Sequence, residues 1–487
     1  MLRPRVLLPT FSAASAHNGS ASSSDGAASS SGKGHDNRNK RATRVVNIVL
    51  IIGLTALTLS LVVLHNAEDA ASASHSDATT EASPVAPSAP LSSQTTGTEM
   101  FPNPLKDYRE LPVTYPASDP SLDTASTYPE LTPLSDLYSR WPQNSHLPSS
   151  TFREHLRLFD FQDPDQMAQA RRLRDMELPF KVHNVPEIDT AGDKWKRRGY
   201  LSEMLDGSMG SGGVESARRS KRRKKRSHNT GPAASEGGVS YSVAMSESNF
   251  FTWFDGRAVD NYRRRMDPTY VKPTKPVSMS SSAYFERAIK KDLTETYDPD
   301  SEHLYMTLGV NGVNQRRDSK HTFIHHDLPS FITPPNNFFV FDFDHNKGVQ
   351  CRFGERGVTA AAHYDNGRNM VAMVVGAKRY TLLPPKECDK LHVITEKDHP
   401  SRRHILLNFG DMDALPSDAK GALAVETIVK EGEVLYIPAR WFHYITSLQF
   451  NAQCNSRSGR LDDESEVGET VRFFGGKSDI ELCTTSD

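Results

Sequence analysis

The chain has 487 residues, 58 Lys and Arg against 60 Asp and Glu, a formal net charge of −2 and 37% hydrophobic residues. Its length would allow two or three domains, but the low apolar content and the Ser, Ala, Pro and Thr of the first third argue for fewer. One domain of about 290 residues is the expected folded part. Four cysteines (Cys351, Cys388, Cys454 and Cys483) without Cys-x-x-Cys spacing exclude a structural zinc site and leave disulfides or buried thiols equally open.

Residues 1–44 are Ser/Gly/Ala-rich and end in Lys33, Arg38, Lys40, Arg41 and Arg44, the composition of a disordered tail. Residues 45–65 follow as an uncharged run rich in Leu, Ile and Val, about the twenty residues that a helix needs to cross a bilayer. No Lys or Arg appears between this run and Lys106, whereas Glu68 and Asp69 come at once. The positive-inside rule then predicts a signal anchor with the N-terminus in the cytosol and everything after it in a lumen. A cleaved signal or transit peptide is the alternative, but the apolar run is long for an h-region and starts late. Residues 66–150, with stretches such as Ala82-Ser83-Pro84-Val85-Ala86-Pro87, read as a low-complexity stalk of a kind that suits O-glycosylation. Tail, anchor, stalk and enzyme-sized domain are the layout of a single-pass type II membrane protein of the Golgi or endoplasmic reticulum. In that location no nucleic-acid partner is expected, and no Asn-x-Ser/Thr sequon occurs beyond Asn18.

The domain itself is predicted over 160–476, with a tail at 477–487. A helix over 165–176, opened by Pro164, leads into a first strand at Pro179-Phe180-Lys181-Val182. A Gly/Ser-rich insertion at 206–238 carries the basic run Arg218-Arg219-Ser220-Lys221-Arg222-Arg223-Lys224-Lys225-Arg226. That run has three readings: a nucleic-acid or import signal, a furin-type processing site, or a solvated loop that attracts acidic substrates or glycans. Further on, Val239–Val243, Leu304–Leu308 and Phe338–Phe341 read as strands and Ala283–Ile289 as a helix. His325-His326-Asp327 looks like a metal motif but precedes Leu328-Pro329, and we read it as loop.

The most informative feature is His363-Tyr364-Asp365, answered by His443 in Ile437-Pro438-Ala439-Arg440-Trp441-Phe442-His443. His and Asp two residues apart project from the same side of a strand. With a distant second His they can occupy one face of an octahedral metal and leave the opposite face open, as non-haem Fe(II) chemistry with O2 requires. Met370–Val375 reads as a buried strand, Gly376 as a tight turn, and Lys378-Arg379-Tyr380-Thr381-Leu382-Leu383 as a second strand stopped by Pro384-Pro385. Lys378 is either a surface lysine or a cation aimed into a barrel, where it would need an anion.

These pieces, with Asn369 and Gly432-Glu433, resemble the cupin-like, JmjC-type 2-oxoglutarate oxygenases from about Pro179 to Gly476. They are particularly similar to the asparaginyl hydroxylases among them. The resemblance implies a mainly β fold: a double-stranded β-helix, or jelly roll, with flanking helices. It implies Fe(II) on His363, Asp365 and His443, with 2-oxoglutarate as co-substrate beside O2 and its far carboxylate on Lys378. It also implies co-substrate contacts from Asn369 and Asn455, with Thr359 as a further candidate, and a polypeptide substrate; the oligomeric state stays open, homodimers occurring in the family. Two departures stand out. The family often has Thr or Ser three residues before the first ligand, where this chain has Ala360, with Thr359 one residue earlier and expected on the other face. After Asn455 the family runs into aromatics, where this chain has Ser456-Arg457-Ser458-Gly459; Tyr380 and Arg457 are candidate substitute donors. A jelly roll that has lost catalysis and binds a peptide or glycan is the alternative reading.

Overall fold

The structure is a computed structural model and describes residues 128–141, 152–207, 239–294, 296–310, 321–332, 338–341, 346 and 348–460. The expected cytosolic tail, the apolar run 45–65, most of the stalk, the basic insertion and the C-terminal tail lie outside these residues. Among the described residues no helix is long and apolar enough to cross a membrane.

Two sheets form the body. The smaller has six strands: β1 (Thr132–Pro133), β12 (Leu423–Lys430), β11 (Ala377–Leu383), β14 (Phe442–Ser447), β9 (Thr359–Tyr364) and β5 (Phe250–Phe251), in that order. The larger runs β2 (Leu158–Asp160), β3 (Phe180–His183), β13 (Val434–Ile437), β10 (Gly367–Val375), β15 (Asn451–Arg460), β8 (Val349–Gly354), β7 (His303–Val310), β4 (Tyr241–Ser246) and β6 (Lys275–Met279). Pairing is antiparallel except at β2–β3 and β5–β9. The sheets face one another, since Lys378 of β11 donates to Gln453 of β15 at 2.9 Å and to Tyr305 of β7 at 3.2 Å. This mainly β architecture is consistent with the expected jelly roll. The chain changes sheets between β10 and β11 at Gly376, where φ is +80° and a Cβ would lie 2.2 Å from the Phe450 carbonyl. Only glycine fits that corner.

Helices cover the outside of the larger sheet. The first expected helix is α2 (Pro164–Asp175), following the short α1 (Leu134–Ser139). Asp163 caps α2 by accepting from the backbone of Asp165 and Gln166, with Pro164 in the first turn. Met167, Ala170 and Leu173 recur at helical spacing and are its buried face. After α3 (Pro186–Trp195) and α4 (Arg198–Gly207), the helix expected at Ala283–Ile289 extends over Ser281–Leu293. Cys351 of β8 and Cys454 of β15 are register partners joined by a disulfide, and Cys388 is also disulfide-bonded.

Three expectations are corrected. Residues 128–141 belong to the fold rather than to a stalk: Leu134 and Leu137 are buried, and Thr132–Pro133 pairs with β12. The domain therefore starts before 160, and Phe180–His183 is its third strand. Phe338–Phe341 forms a turn, because its aromatic rings pack inward on Phe180 and Phe331 while the Phe341 N–H is taken by the Ser458 hydroxyl. His325-His326-Asp327 ends a short helix (Phe323–Asp327), and Asp327 is structural. It accepts from Trp195 at 2.7 Å, Tyr200 at 2.6 Å and Lys194 at 2.9 Å.

Candidate metal centre

β9 and β14 bring the three expected ligands together. His363 and His443 are register partners, and a ligand atom of each, with one of Asp365, lies within 4.8 Å of the others. Among the described residues this is the group of His, Cys, Asp or Glu side chains able to hold a metal. The imidazole Nδ1 atoms donate to the backbone carbonyls of Ala361 (2.8 Å) and Trp441 (3.1 Å), which leaves both Nε2 lone pairs facing inward. Those Nε2 atoms are 3.1 Å apart. Two lone pairs cannot share a hydrogen bond, but two nitrogens bound at right angles to one ion at about 2.1 Å would sit about 3.0 Å apart. The donor set thus fits a divalent ion. Asp365 offers Oδ2, 3.9 Å from His443 Nε2, while its Oδ1 accepts from Arg457 Nη1 at 2.7 Å.

The electrostatics agree. Burial and the neighbouring imidazoles His443 and His404 hold His363 well below its ordinary value, and burial lowers His443 as well. Both shifts favour the neutral imidazole, the form that binds a metal. Burial alone would raise the Asp365 carboxyl. Arg457, His443, His363 and Arg352 outweigh it and hold the group below the usual carboxylate range.

A column of polar side chains runs from the ligands into the barrel. On β15 the inward positions are Gln453, Asn455 and Arg457. Gln453 Oε1 accepts from Lys378 and from Tyr380 at 2.7 Å. Asn455 donates to Asn369 at 3.1 Å and accepts from Arg352. Gln350 Oε1 accepts from Arg457 at 3.0 Å and from Arg352 at 3.3 Å. Lys378, Asn369, Asn455 and Tyr380 therefore line the same interior as the ligands, as expected. Burial and nearby Arg352 push the Lys378 ammonium well below its ordinary value, and burial also lowers Arg352.

Thr359 does not join them. An extra residue in β9 shifts the register opposite β14: His363 pairs with His443, but Ala360 pairs with Ile445 and Thr359 with Thr446. This bulge turns Ala360 inward and Thr359 to the opposite face, where its hydroxyl donates to the Gly357 carbonyl. Co-substrate binding by Thr359 is thereby corrected.

The sequence reading missed Tyr305, Gln350, Arg352 and Gln453. Its available signal was the alternation Gln350-Cys351-Arg352 and Gln453-Cys454-Asn455, polar on one face and cysteine on the other. It also missed the rim. Trp253, 59% exposed, stacks on His404, which stacks on His363 with ring centroids 4.8 Å apart. A cavity of about 570 Å³ opens over Asp365, lined also by Trp253, Lys397, Arg402, Arg403 and Arg457.

A two-sheet barrel with a His/Asp/His set at one end defines a cupin-type protein. Over residues 166–457, more than half of its length, the chain matches the cupin-like domain family and belongs to it. It is similar to tRNA wybutosine-synthesizing protein 5 of Danio rerio, 28% identical over 187 residues, 37% of this chain and 53% of that protein. It is also similar to lysine-specific demethylase JMJ30 of Arabidopsis thaliana, 34% identical over 102 residues, 21% of this chain and 24% of that protein. Jumonji C domain-containing protein 5 of Drosophila melanogaster is 28% identical over 105 residues, 20% of this chain and 24% of its own. The chain thus spans about half the length of the first relative and about a quarter of the other two.

Proposed function

We propose that the chain is a dioxygenase dependent on Fe(II) and 2-oxoglutarate that hydroxylates a polypeptide side chain. We place it in the Golgi or endoplasmic reticulum, as a type II membrane protein whose barrel is luminal. The observation that carries the activity is the inward-facing His363/Asp365/His443 set with, in the same barrel, a buried Lys378 that pairs with no carboxylate among the described residues. When bound, Fe(II) with 2-oxoglutarate and O2 supplies decarboxylation to succinate and CO2 coupled to insertion of one oxygen atom into a C–H bond. His363, Asp365 and His443 hold the ion and leave its other positions open. Lys378, with the Tyr305 and Tyr380 hydroxyls, fixes the far carboxylate, and the Asn369–Asn455 pair orients the chain between. The disulfide Cys351–Cys454 supports an oxidising compartment. A luminal barrel would meet neither tRNA nor the lysines of histones, so the substrates in the relatives' names are not carried over.

A second reading, a non-catalytic binding module of the same fold for a peptide or glycan, is favoured by one observation: Arg457 occupies one oxygen of the Asp365 ligand. Succinate release from 2-oxoglutarate by the full chain, with Fe(II) and ascorbate, separates the two. An oxygenase shows slow turnover that a His363→Ala/Asp365→Ala variant loses. No succinate and no thermal stabilisation by 2-oxoglutarate leaves the binding module.

A further inference from the structure

Among the described residues, the interior of the barrel beside the ligands holds three cations and one carboxylate. Lys378, Arg352 and Arg457 lie at the levels of Gln453, Asn455 and position 457 on β15, successive inward positions about 7 Å apart. Among the described residues, neither Lys378 nor Arg352 makes an ion pair, and Arg457 has only Asp365. On the reading above, which this inference rests on, a dianionic co-substrate places one carboxylate on Lys378. Its other carboxylate and Asp365 together balance a divalent ion. The two guanidiniums remain uncompensated in a space where an unpaired charge is costly. Gln350 holds both from one oxygen, so neither is free to swing out to water without breaking that contact.

The rim continues the same charge. Arg457 lines the 570 Å³ cavity together with Lys397, Arg402 and Arg403. Its carboxylates beside Asp365 are Asp398 and Asp255, and Arg257 already bonds Asp255 through Nε and Nη2 at 3.0 Å. The Arg402 Nε is buried and has no hydrogen-bond partner among the described residues.

We propose that the residue presented to the metal is an acidic side chain of a polypeptide, aspartate or glutamate, with its carboxylate on Arg457 and the flanking segment on Arg402 and Arg403. A planar guanidinium with one edge on Asp365 and Gln350 still has donors to offer a carboxylate. A nucleic-acid strand fits less well. Its affinity comes from a series of phosphate contacts along a basic track, whereas here the cations converge into a pocket whose rim also carries Asp255 and Asp398.

The test uses the full chain and short Gly/Ser-flanked peptides that differ only in one central residue: Asp, Glu, Asn or Gln. Binding is read by fluorescence anisotropy with Zn(II) as a redox-inert ion and 2-oxoglutarate present, and turnover by succinate release with Fe(II). The Asp or Glu peptide should bind about tenfold or more tightly than its amide isostere, because the amide leaves a buried guanidinium unmatched. It should also stimulate succinate release where the amide does not. Arg457→Gln should bring the acid-to-amide ratio of affinities close to one. An Arg457 that only props Asp365 would weaken both peptides alike and keep the ratio, which overturns the proposal. If Arg457→Gln does not fold, the Arg402→Ala/Arg403→Ala variant serves, and should cut the ratio several-fold. Equal binding of acid and amide peptides, or binding of a single-stranded oligonucleotide in preference to all four, also overturns it. Failure of basal succinate release bears on the oxygenase reading, and the anisotropy ratio still decides this one.

Discussion

Lys378 illustrates how one residue can serve a site at the fold's expense. The residue is 1% exposed, and among the described residues its ammonium donates only to neutral oxygens, those of Tyr305 and Gln453. Taking a cation out of water without an anion costs stability, and the group's depressed proton affinity registers that cost. We therefore expect Lys378→Met to raise the unfolding temperature of the ligand-free protein, by the equivalent of about 1–2 kcal/mol. The same variant should lose the stabilisation that 2-oxoglutarate gives the parent. Differential scanning fluorimetry with and without 2-oxoglutarate measures both, and an unchanged ligand-induced shift would remove Lys378 from the co-substrate site. The ligands, Lys378, Asn369 and Asn455 were legible in the sequence because alternation on a strand fixes which side chains share a face. Thr359 lies four residues before His363, so strict alternation would put it on the ligand face. The bulge in β9 is what inverts parity between position 360 and His363, and no residue in Thr359-Ala360-Ala361-Ala362 announces it. The Arg352 guanidinium escaped for another reason: its tie to Arg457 runs through Gln350 from β8 across to β15, a long-range pairing that local spacing does not encode.

At the scale of elements, the strap 128–141 shows what composition hides. Its flanks are rich in Ser, Thr and Pro, yet Leu134, Leu137, Tyr138 and Trp141 are buried and close the outer face of β11 and β12. That face carries a buried ion pair, Arg379 with Glu426 at 2.6 Å. The strap completes it: the Arg379 guanidinium lies 4.3 Å from the Tyr138 ring centroid and 3.9 Å from that of Trp141, whose indole N–H donates to Glu426. Four buried side chains in so short a segment are too few for a periodicity signal, so the strap read as stalk. Trp141→Ala would open a cavity and leave Glu426 short of a donor at once. We expect a loss of about 3–5 kcal/mol in urea unfolding, against less than 1 kcal/mol for an exposed control such as Ser135→Ala. Parity of the two would mean that the strap rests on the sheet without supporting it. The long, strongly patterned elements were legible by contrast, α2 through its cap and apolar face, β10 and β11 through the glycine corner between them. The aromatic run Phe338–Phe341 has strand composition but its rings all find the core from a turn, since tertiary packing overrides β propensity.

For the whole molecule, the compartment and the fold are one question. The Cys351–Cys454 bridge spans a sequence separation of 103 and ties β8 to β15, the two strands that carry Gln350, Arg352, Asn455 and Arg457. Closing so long a loop restricts the unfolded chain, by about 4–5 kcal/mol in the chain-entropy account and typically 2–5 kcal/mol when a native bridge is removed. A protein whose barrel walls depend on such a bond gains that stability only where thiols stay oxidised, and a barrel in a reducing compartment would forgo it. Cys454→Ser should accordingly lower stability by about 2–4 kcal/mol and weaken 2-oxoglutarate binding together, since the bridge sits directly behind Arg352 and Asn455. If the apolar run 45–65 is a signal anchor, a C-terminal tag in intact microsomes is protected from added protease while an N-terminal tag is digested. Thiol trapping on the same membranes should then find Cys351 and Cys454 unreactive until reductant is added. Digestion of the C-terminal tag with both thiols free would reverse the topology and withdraw the bridge from the working protein. With a signal anchor the two measurements would stand or fall together, because the side of the membrane on which the barrel folds would then set its redox state.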